Sequence, residues 1–340
     1  METNTAKLKE ALERVKPGLA NKEVVEQATS FAFLNGKVIT YNDEISISHP
    51  IEGLDDLQGA VEAESLYKLL SKVKQETIEL SLNNDTEIMI KAGRTRVGLT
   101  LQAEVKLPLE ETTAEKGKWK PLPILFIRYL SLAMTSCSSD MSRPVLTAVH
   151  INKNGFIEAS DGNKITRCDL KEELPIKTVL IPATSAVHIV KLNPIKIAEG
   201  KGWLHFLTEN KTIISCRIFE DAFPNTLPHL NVTGKRLVLP EKIEEVIDRA
   251  MIFAKRDHIL EEALTITFSP KKCEVSTKSE TNWFKEAINS TYEGDILSFI
   301  ITPYLLKGIL SETLAFTYSK QKLKFEGDGW IYIAALRHTK

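Results

Sequence analysis

The sequence predicts an α+β protein built from three alike repeats, each with two helices laid on an antiparallel sheet. Three observations point there. A strand running into a helix recurs at Val61, Ile181 and Ile301, at a constant spacing of 120 residues, and equal spacing of a supersecondary unit is the mark of internal repetition. Short alternating runs separated by Asn-Gly, Asn-Asp and Asp-Gly read as antiparallel hairpins, because these residues tolerate the positive φ that tight turns need. A chain of 340 residues also exceeds what a single core usually serves. The implied domains are 1–117, 118–232 and 233–340.

The first repeat opens with a helix over Thr5–Val15, where Leu8, Ala11, Leu12 and Val15 fall at helical spacing and Pro17-Gly18 stops it. Strands follow at 31–34, 37–41 and 45–48, then a helix at 63–73, then strands at 77–82, 87–92 and 96–101. Thr112–Lys118 is polar and lacks apolar periodicity, so it reads as a linker. The second repeat opens with a helix at 123–135, with Leu125, Tyr129, Leu132 and Ala133 inward. It continues through the stretch 156–192, in which Asp161-Gly162 closes a hairpin and Pro182 starts a helix bearing Val187 and Val190. The segment 223–231 is the second linker. The third repeat opens with a helix from Pro240, acidic in its first turn as the helix dipole favours. A helix at 301–311 and strands at 314–318, 323–326 and 330–336 complete it.

Composition bounds the function. The chain is 43% hydrophobic and 26% charged with net charge −1, an ordinary globular balance. A nucleic-acid surface therefore requires Lys and Arg to be segregated onto one face. Cys137, Cys168, Cys216 and Cys273 are far apart and form no metal-ligand spacing, which suits reduced thiols in the cytoplasm. The amphipathic N-terminus has no apolar signal region, and no run reaches membrane-spanning length.

Phosphate-binding glycine loops, zinc-protease and serine-hydrolase motifs are absent from the sequence. The histidines are scattered, Asp161 reads as a turn former, and Asp55-Asp56 and Glu261-Glu262 read as solvated pairs. No cofactor or metal is expected, and a binding protein is favoured over an enzyme. The informative charges are Lys7, Lys9, Arg14, Lys68, Lys72, Arg128, Lys191, Arg249, Lys255 and Lys307, all on or beside repeat helices. On one face they would meet phosphates without reading bases.

Several segments resemble one family. Phe156-Ile-Glu-Ala159 running into Ser160-Asp-Gly-Asn-Lys-Ile165, Met141-Ser-Arg-Pro-Val-Leu146, Val179-Leu-Ile-Pro182, Phe219-Glu-Asp-Ala-Phe-Pro224 and Ala92-Gly-Arg-Thr-Arg-Val-Gly-Leu99 are similar to stretches of the bacterial DNA polymerase III beta subunit, the sliding clamp. The resemblance runs in order along the whole chain. It implies a ring-forming clamp fold and a non-catalytic processivity factor. Two subunits would encircle duplex DNA without sequence preference, and the partners would be a replicative DNA polymerase and a clamp loader. It places a dimer interface at Val97 and Leu99 against Ile252 and Phe253. It places a partner-peptide pocket at Leu146, Ser160, Gly162, Lys164, Ile165, Pro224, Tyr304 and Ile333. Asn163 replaces the family's usual His, the Tyr332–Lys340 ending lacks the family's Met-Pro close, and residues 23–29 lack its proline-rich approach. These departures suggest a divergent clamp, such as one encoded by a phage. Two alternatives remain open: a clamp-fold scaffold that binds partners without closing on DNA, and an enzyme using unrecognised carboxylates.

Overall fold

The computed structural model describes residues 1–340 apart from 85, 113, 115–117 and 338–340. Six α-helices occur among the described residues: α1 (Thr5–Val15), α2 (Ala63–Lys72), α3 (Phe126–Met134), α4 (Ala183–Leu192), α5 (Leu227–Leu230) and α6 (Ile243–Ala254). The remaining regular structure is antiparallel strand and short 3-10 turn.

Local chemistry explains the helices. Asn4 caps α1 by accepting from the Lys7 amide at 3.0 Å, and Leu8, Ala11, Leu12 and Val15 are buried as the spacing predicts. The Glu62 carboxylate caps α2 through the Glu64 and Ser65 amides at 3.0 and 2.8 Å, satisfying donors that the first turn leaves open. In α6, Ile243, Val246, Ile247, Ala250 and Ala254 form one buried stripe. Burying such side chains contributes about 1.5–3 kcal/mol for each large one.

The chain divides into two compact units, Met1–Arg128 with Leu174–Glu220, and Tyr129–Glu173 with Asp221–Lys340. The middle repeat contributes to both. In the first unit one sheet of twelve strands runs without interruption. Its joint is the pairing of Ile45–Pro50 with Ile213–Arg217, where Ile47 faces Ile214. Ala32, Ile39, Tyr41, Ala60, Leu107 and Trp203 form a buried cluster beside it. In the second unit the strands Ala148–Asn152, Phe156–Ser160, Lys164–Asp169, Trp330–Ala335, Lys322–Gly327, Ala315–Tyr318 and Lys235–Val238 lie side by side in that order. There Ile165 faces Ile333. A separate sheet holds Trp283–Asn289, Lys272–Lys278, Leu264–Ser269 and Leu297–Ile301, and α6 packs on it. Phe268, Phe299, Phe316, Phe325 and Tyr332 form a chain of ring contacts with centroids 5.5–6.5 Å apart.

The repeated strand-to-helix junction is present at Ala63, Ala183 and Pro303, again 120 residues apart. The third copy departs from expectation. The predicted helix over 301–311 is a 3-10 turn, Pro303–Leu305, followed by turns. The Leu305 and Leu306 amides donate to Thr302 and Pro303, both at 3.0 Å, so the bonds close three residues back. Gly308 at φ +82 then leaves helical space altogether.

One inward assignment also changes. Leu125 precedes α3 and is 38% exposed, while Phe126 takes the buried position. On α4, whose inward face the sequence reading leaves open, Ser185, Ala186 and Ile189 are buried and Val187 is 48% exposed. Residues 113 and 115–117 of the Thr112–Lys118 linker lie outside the described residues. Thr112 itself is buried, and its carbonyl accepts from Ser215 Oγ at 2.8 Å.

Candidate functional site

The Phe156–Ser160 and Lys164–Asp169 strands form the hairpin expected, with the turn centred one residue later, on Gly162-Asn163. The Asp161 amide donates to the Lys164 carbonyl at 3.3 Å to close it. Asp161 Oδ1 accepts from the Asn163 and Lys164 amides at 2.8 and 2.9 Å, and Gly162 sits at φ +94. Asp161 is thus a turn former, and Gly162 supplies the left-handed conformation.

This turn rims a cavity of about 220 Å³ within the second unit. Seven of the eight expected pocket residues line it: Leu146, Ser160, Gly162, Lys164, Ile165, Pro224 and Ile333. Tyr304 is not in the lining; it donates to Asp161 Oδ2 at 3.2 Å. The Lys164 ammonium sits 5.0 Å from the Tyr304 ring centroid and donates to the Thr135 carbonyl at 2.6 Å. Burial holds the Lys164 ammonium below its ordinary pKa, with Asp161 and Cys137 opposing the shift. Burial, then the Asp161 carboxylate, push the Tyr304 phenol up. Cys137 is a free thiol pushed up to about 12 by burial, so it is unreactive at neutral pH.

The sequence reading missed Asn163, Asn225, Thr226, His229, Lys322 and Ala335, which complete the lining. Three of them lie in the stretch read as a linker, where α5 lifts His229 to the rim. Ala335 and Lys322 face one another in the Lys322–Gly327 and Trp330–Ala335 pairing, where strand register could have located them. Larger clefts, of about 520, 820 and 320 Å³, exist elsewhere among the described residues. The first mixes Lys7, Arg14 and Lys211 with Glu10, Glu52 and Glu209 and converges on no chemistry.

The basic residues fall into two groups. Lys7 faces Glu52 at 3.5 Å, Lys9 faces Glu13 at 3.8 Å, and Arg14 faces Glu10 at 2.7 Å. Lys68 pairs with Glu64, and Arg249 holds Glu286 at 2.7 Å. Lys72, Lys191, Lys255 and Lys307 are exposed with no ion pair among the described residues. Arg128 is also exposed on α3.

Among the strand edges that stand open within their own sheets in the described residues, two lie at the expected interface residues. In the first unit, Thr95–Thr100 pairs with Glu87–Ala92 on one side, whereas only Leu101 and Gln102 pair on the other. Val97 and Leu99 are half-buried on one face of that edge. In the second unit, Trp283–Asn289 ends its four-stranded sheet. Beside it, Ile252 is 72% exposed, and Phe253 is 37% exposed and stacked on Phe284 at 5.6 Å. Exposed edges of this kind are templates for pairing with another chain.

No protein-family model matches this sequence, and no curated protein is detectably similar to it. Solved structures do match, and the fold is that of the bacterial DNA sliding clamps. The chain is similar to a DnaN sliding clamp, DNA polymerase III subunit beta, from Bartonella birtlesii, with TM-score 0.85, 14% identity, and 100% and 99% of the two chains covered. It is similar to the corresponding clamp from Pseudomonas aeruginosa at TM-score 0.84, 15% identity, and coverage of 100% and 99%. The Bacillus subtilis sliding clamp matches at 0.82, 19% identity, and coverage of 100% and 99%. The particular likeness is therefore to the fold of polymerase III beta subunits, carried by backbone geometry at low sequence identity.

Proposed function

We propose that this protein is a DNA sliding clamp, a non-catalytic processivity factor. Two subunits close head to tail into a ring around duplex DNA, each contributing three repeats at 1–117, 118–232 and 233–340. The likeness to beta subunits over the full length of both chains carries this reading. The two open edges support it, since pairing the Val97–Leu99 edge of one subunit with the Trp283–Asn289 side of the next removes both.

Lys7, Lys9, Arg14, Lys68, Lys72, Arg128, Lys191, Arg249, Lys255 and Lys307 present positive charge to phosphates. Contacts that read no bases favour no register, so the ring slides. The cavity rimmed by Gly162 binds a short peptide of the replicative polymerase, the clamp loader or other partners, in the cytoplasm. Tethering then raises the polymerase's effective concentration at the primer end.

Light scattering across a dilution series tests the ring. A mass near 76 kDa, twice the 38.1 kDa chain, is expected to persist on dilution. Retention on circular DNA and loss from linearised DNA are expected to follow. One observation favours a second reading, a scaffold that does not encircle DNA: among the described residues, at least half of the ten basic residues are already matched by carboxylates. A persistent monomer with intact peptide binding would establish that reading instead.

A further inference from the structure

Resting on the reading of a two-subunit ring, we propose that Trp283 of one subunit closes over Gly98 of the partner subunit, and that this pair fixes the register in which the two strand edges join.

The chain already contains two joints of the kind that the ring needs once more. In the first unit Ile45–Pro50 pairs antiparallel with Ile213–Arg217, and Ser46 faces Ser215. In the second unit Lys164–Asp169 pairs antiparallel with Trp330–Ala335, and Ile165 faces Ile333. Ser46 and Ile165 hold the same place. Each is the first residue paired after its hairpin turn, opposite Tyr41 and Ser160. The matching residue of the third repeat is Trp283, opposite Lys278 after a turn of the same length. On the other side of the joint, Trp330 closes its hairpin on Gly327, and Ile333 lies three residues further on. Thr95 closes the matching hairpin of the first repeat on Ala92, so Gly98 holds the place of Ile333. The internal repetition therefore sets Trp283 against Gly98 of the partner subunit.

Side-chain alternation agrees. Trp283, Lys285 and Ala287 are exposed on one face of their strand, and Phe284, Glu286 and Ile288 are half-buried on the other. Arg96 and Gly98 are exposed on one face of theirs, and Val97 and Leu99 are half-buried on the other. In the inferred register Phe284 meets Val97 of the partner subunit. That brings Phe253, stacked on Phe284 at 5.6 Å, to the residues expected at the interface. A slip of one residue would turn the exposed set of one strand toward the half-buried set of the other.

The chemistry of the two residues fits this placement. Trp283 is 69% exposed, a large apolar surface left in water by the single chain. Gly98 does not have a positive φ, so its backbone does not demand glycine. A glycine inside a strand weakens it and marks a place where another group approaches closely. An aromatic ring laid across such a glycine from the neighbouring strand restores the missing packing. Met89 faces Gly98 from the next strand, and its thioether suits the edge of an indole. In the single chain the Glu87 side chain folds over the open space, its Oε2 accepting from Asn83 at 2.8 Å. Turned aside, that carboxylate offers an acceptor to the indole N–H. Lys285, held by Glu274 at 2.9 Å, faces Arg96 of the partner subunit. Attraction on this face therefore comes from the aromatic contact rather than from charge.

The test uses the full chain carrying Lys285→Cys and Arg96→Cys, which face one another in this register and leave Trp283 and Gly98 in place. Mild oxidation is expected to give a covalent dimer, since facing strand residues lie within disulfide reach. Lys285→Cys with Arg94→Cys, out of register, is expected to give none. In the otherwise unaltered chain, Trp283→Ala should raise the dimer dissociation constant about thirtyfold across a dilution series, with unchanged circular dichroism. A wild-type chain that is monomeric at every concentration overturns the ring itself, and this inference with it. A stable wild-type dimer whose Lys285→Cys and Arg96→Cys variant does not cross-link, or that is indifferent to Trp283→Ala, overturns the Trp283–Gly98 contact alone.

Discussion

Thr226 Oγ1 donates a 2.6 Å hydrogen bond to Glu158 Oε2, tying the segment that carries Pro224 and Asn225 to the hairpin below the cavity. The same carboxylate accepts from Arg167 at 2.8 Å and meets His150 Nδ1 at 2.9 Å, while Phe223 stacks on the His150 ring at 4.9 Å. Glu158 is 4% exposed. The cavity wall therefore depends on a buried polar cluster behind it.

Removing that carboxylate leaves a partly buried guanidinium and imidazole unmatched. Glu158→Ala should lower the unfolding free energy by about 3 kcal/mol in urea titrations, and Thr226→Val by about 1 kcal/mol. Both should weaken peptide binding while leaving the subunit mass unchanged. Burial by itself raises the Glu158 pKa, but hydrogen bonds from His150 and Thr226 and the Arg167 charge outweigh it and hold the carboxyl below its ordinary value of 4.5. A depressed carboxyl pKa stabilises the fold above that value. The contribution disappears as pH falls below 4.5 through the lowered folded value.

His205 gives a second pH dependence in the first unit. It is fully buried, its Nδ1 lies 2.8 Å from Ser215 Oγ, and burial lowers its pKa from 6.5 to about 4. The unfolded chain binds the proton first, so stability should fall as pH drops from 6.5 towards 4 and level off below it. The loss over that range should be on the order of 3 kcal/mol. His205→Gln should remove this slope in urea unfolding measured at several pH values.

The open edges make a prediction about assembly. Phe253, stacked on Phe284, and the exposed Ile252 sit beside the edge strand Trp283–Asn289. Phe253→Asp places a charge where the proposed contact would desolvate it, a cost of several kcal/mol in an interface core. Light scattering should then report 38.1 kDa monomers with unchanged circular dichroism. A persisting dimer would refute the interface.

Retention on DNA should separate the two groups of basic residues. Reversal of Lys72, Lys191 and Lys307, which have no ion pair among the described residues, removes uncompensated charge. For every phosphate that is no longer neutralised, the salt slope of binding should shrink by about 0.9. Lys68→Glu should have a smaller effect, because Glu64 already matches Lys68. Measuring dissociation from circular DNA at several salt concentrations checks both.

The repeat and its turns were legible because their causes are local. The Thr5–Val15 helix, the strands Lys37–Tyr41, Glu87–Ala92 and Phe156–Ser160, and the Asp161 turn follow from spacing and backbone preference within a few residues. The 301–311 segment carried the same apolar spacing, yet it turns at Pro303–Leu305. There the Leu305 carbonyl accepts from the Tyr332 hydroxyl at 2.5 Å, and Gly308 adopts φ +82. A partner 27 residues away thus claims a carbonyl that a longer helix would have used.

Residue order alone therefore established the recurring strand-to-helix unit and its hairpins, and the family resemblance named seven residues that converge on one cavity. It did not establish which charges are matched or what completes that cavity. Arg249 meets Glu286 across 37 residues, Glu158 meets Thr226 across 68, and Lys322 meets His229 across 93. Such pairs depend on strand register and on where a connecting segment crosses the sheet, because a one-residue slip in pairing turns every side chain to the opposite face.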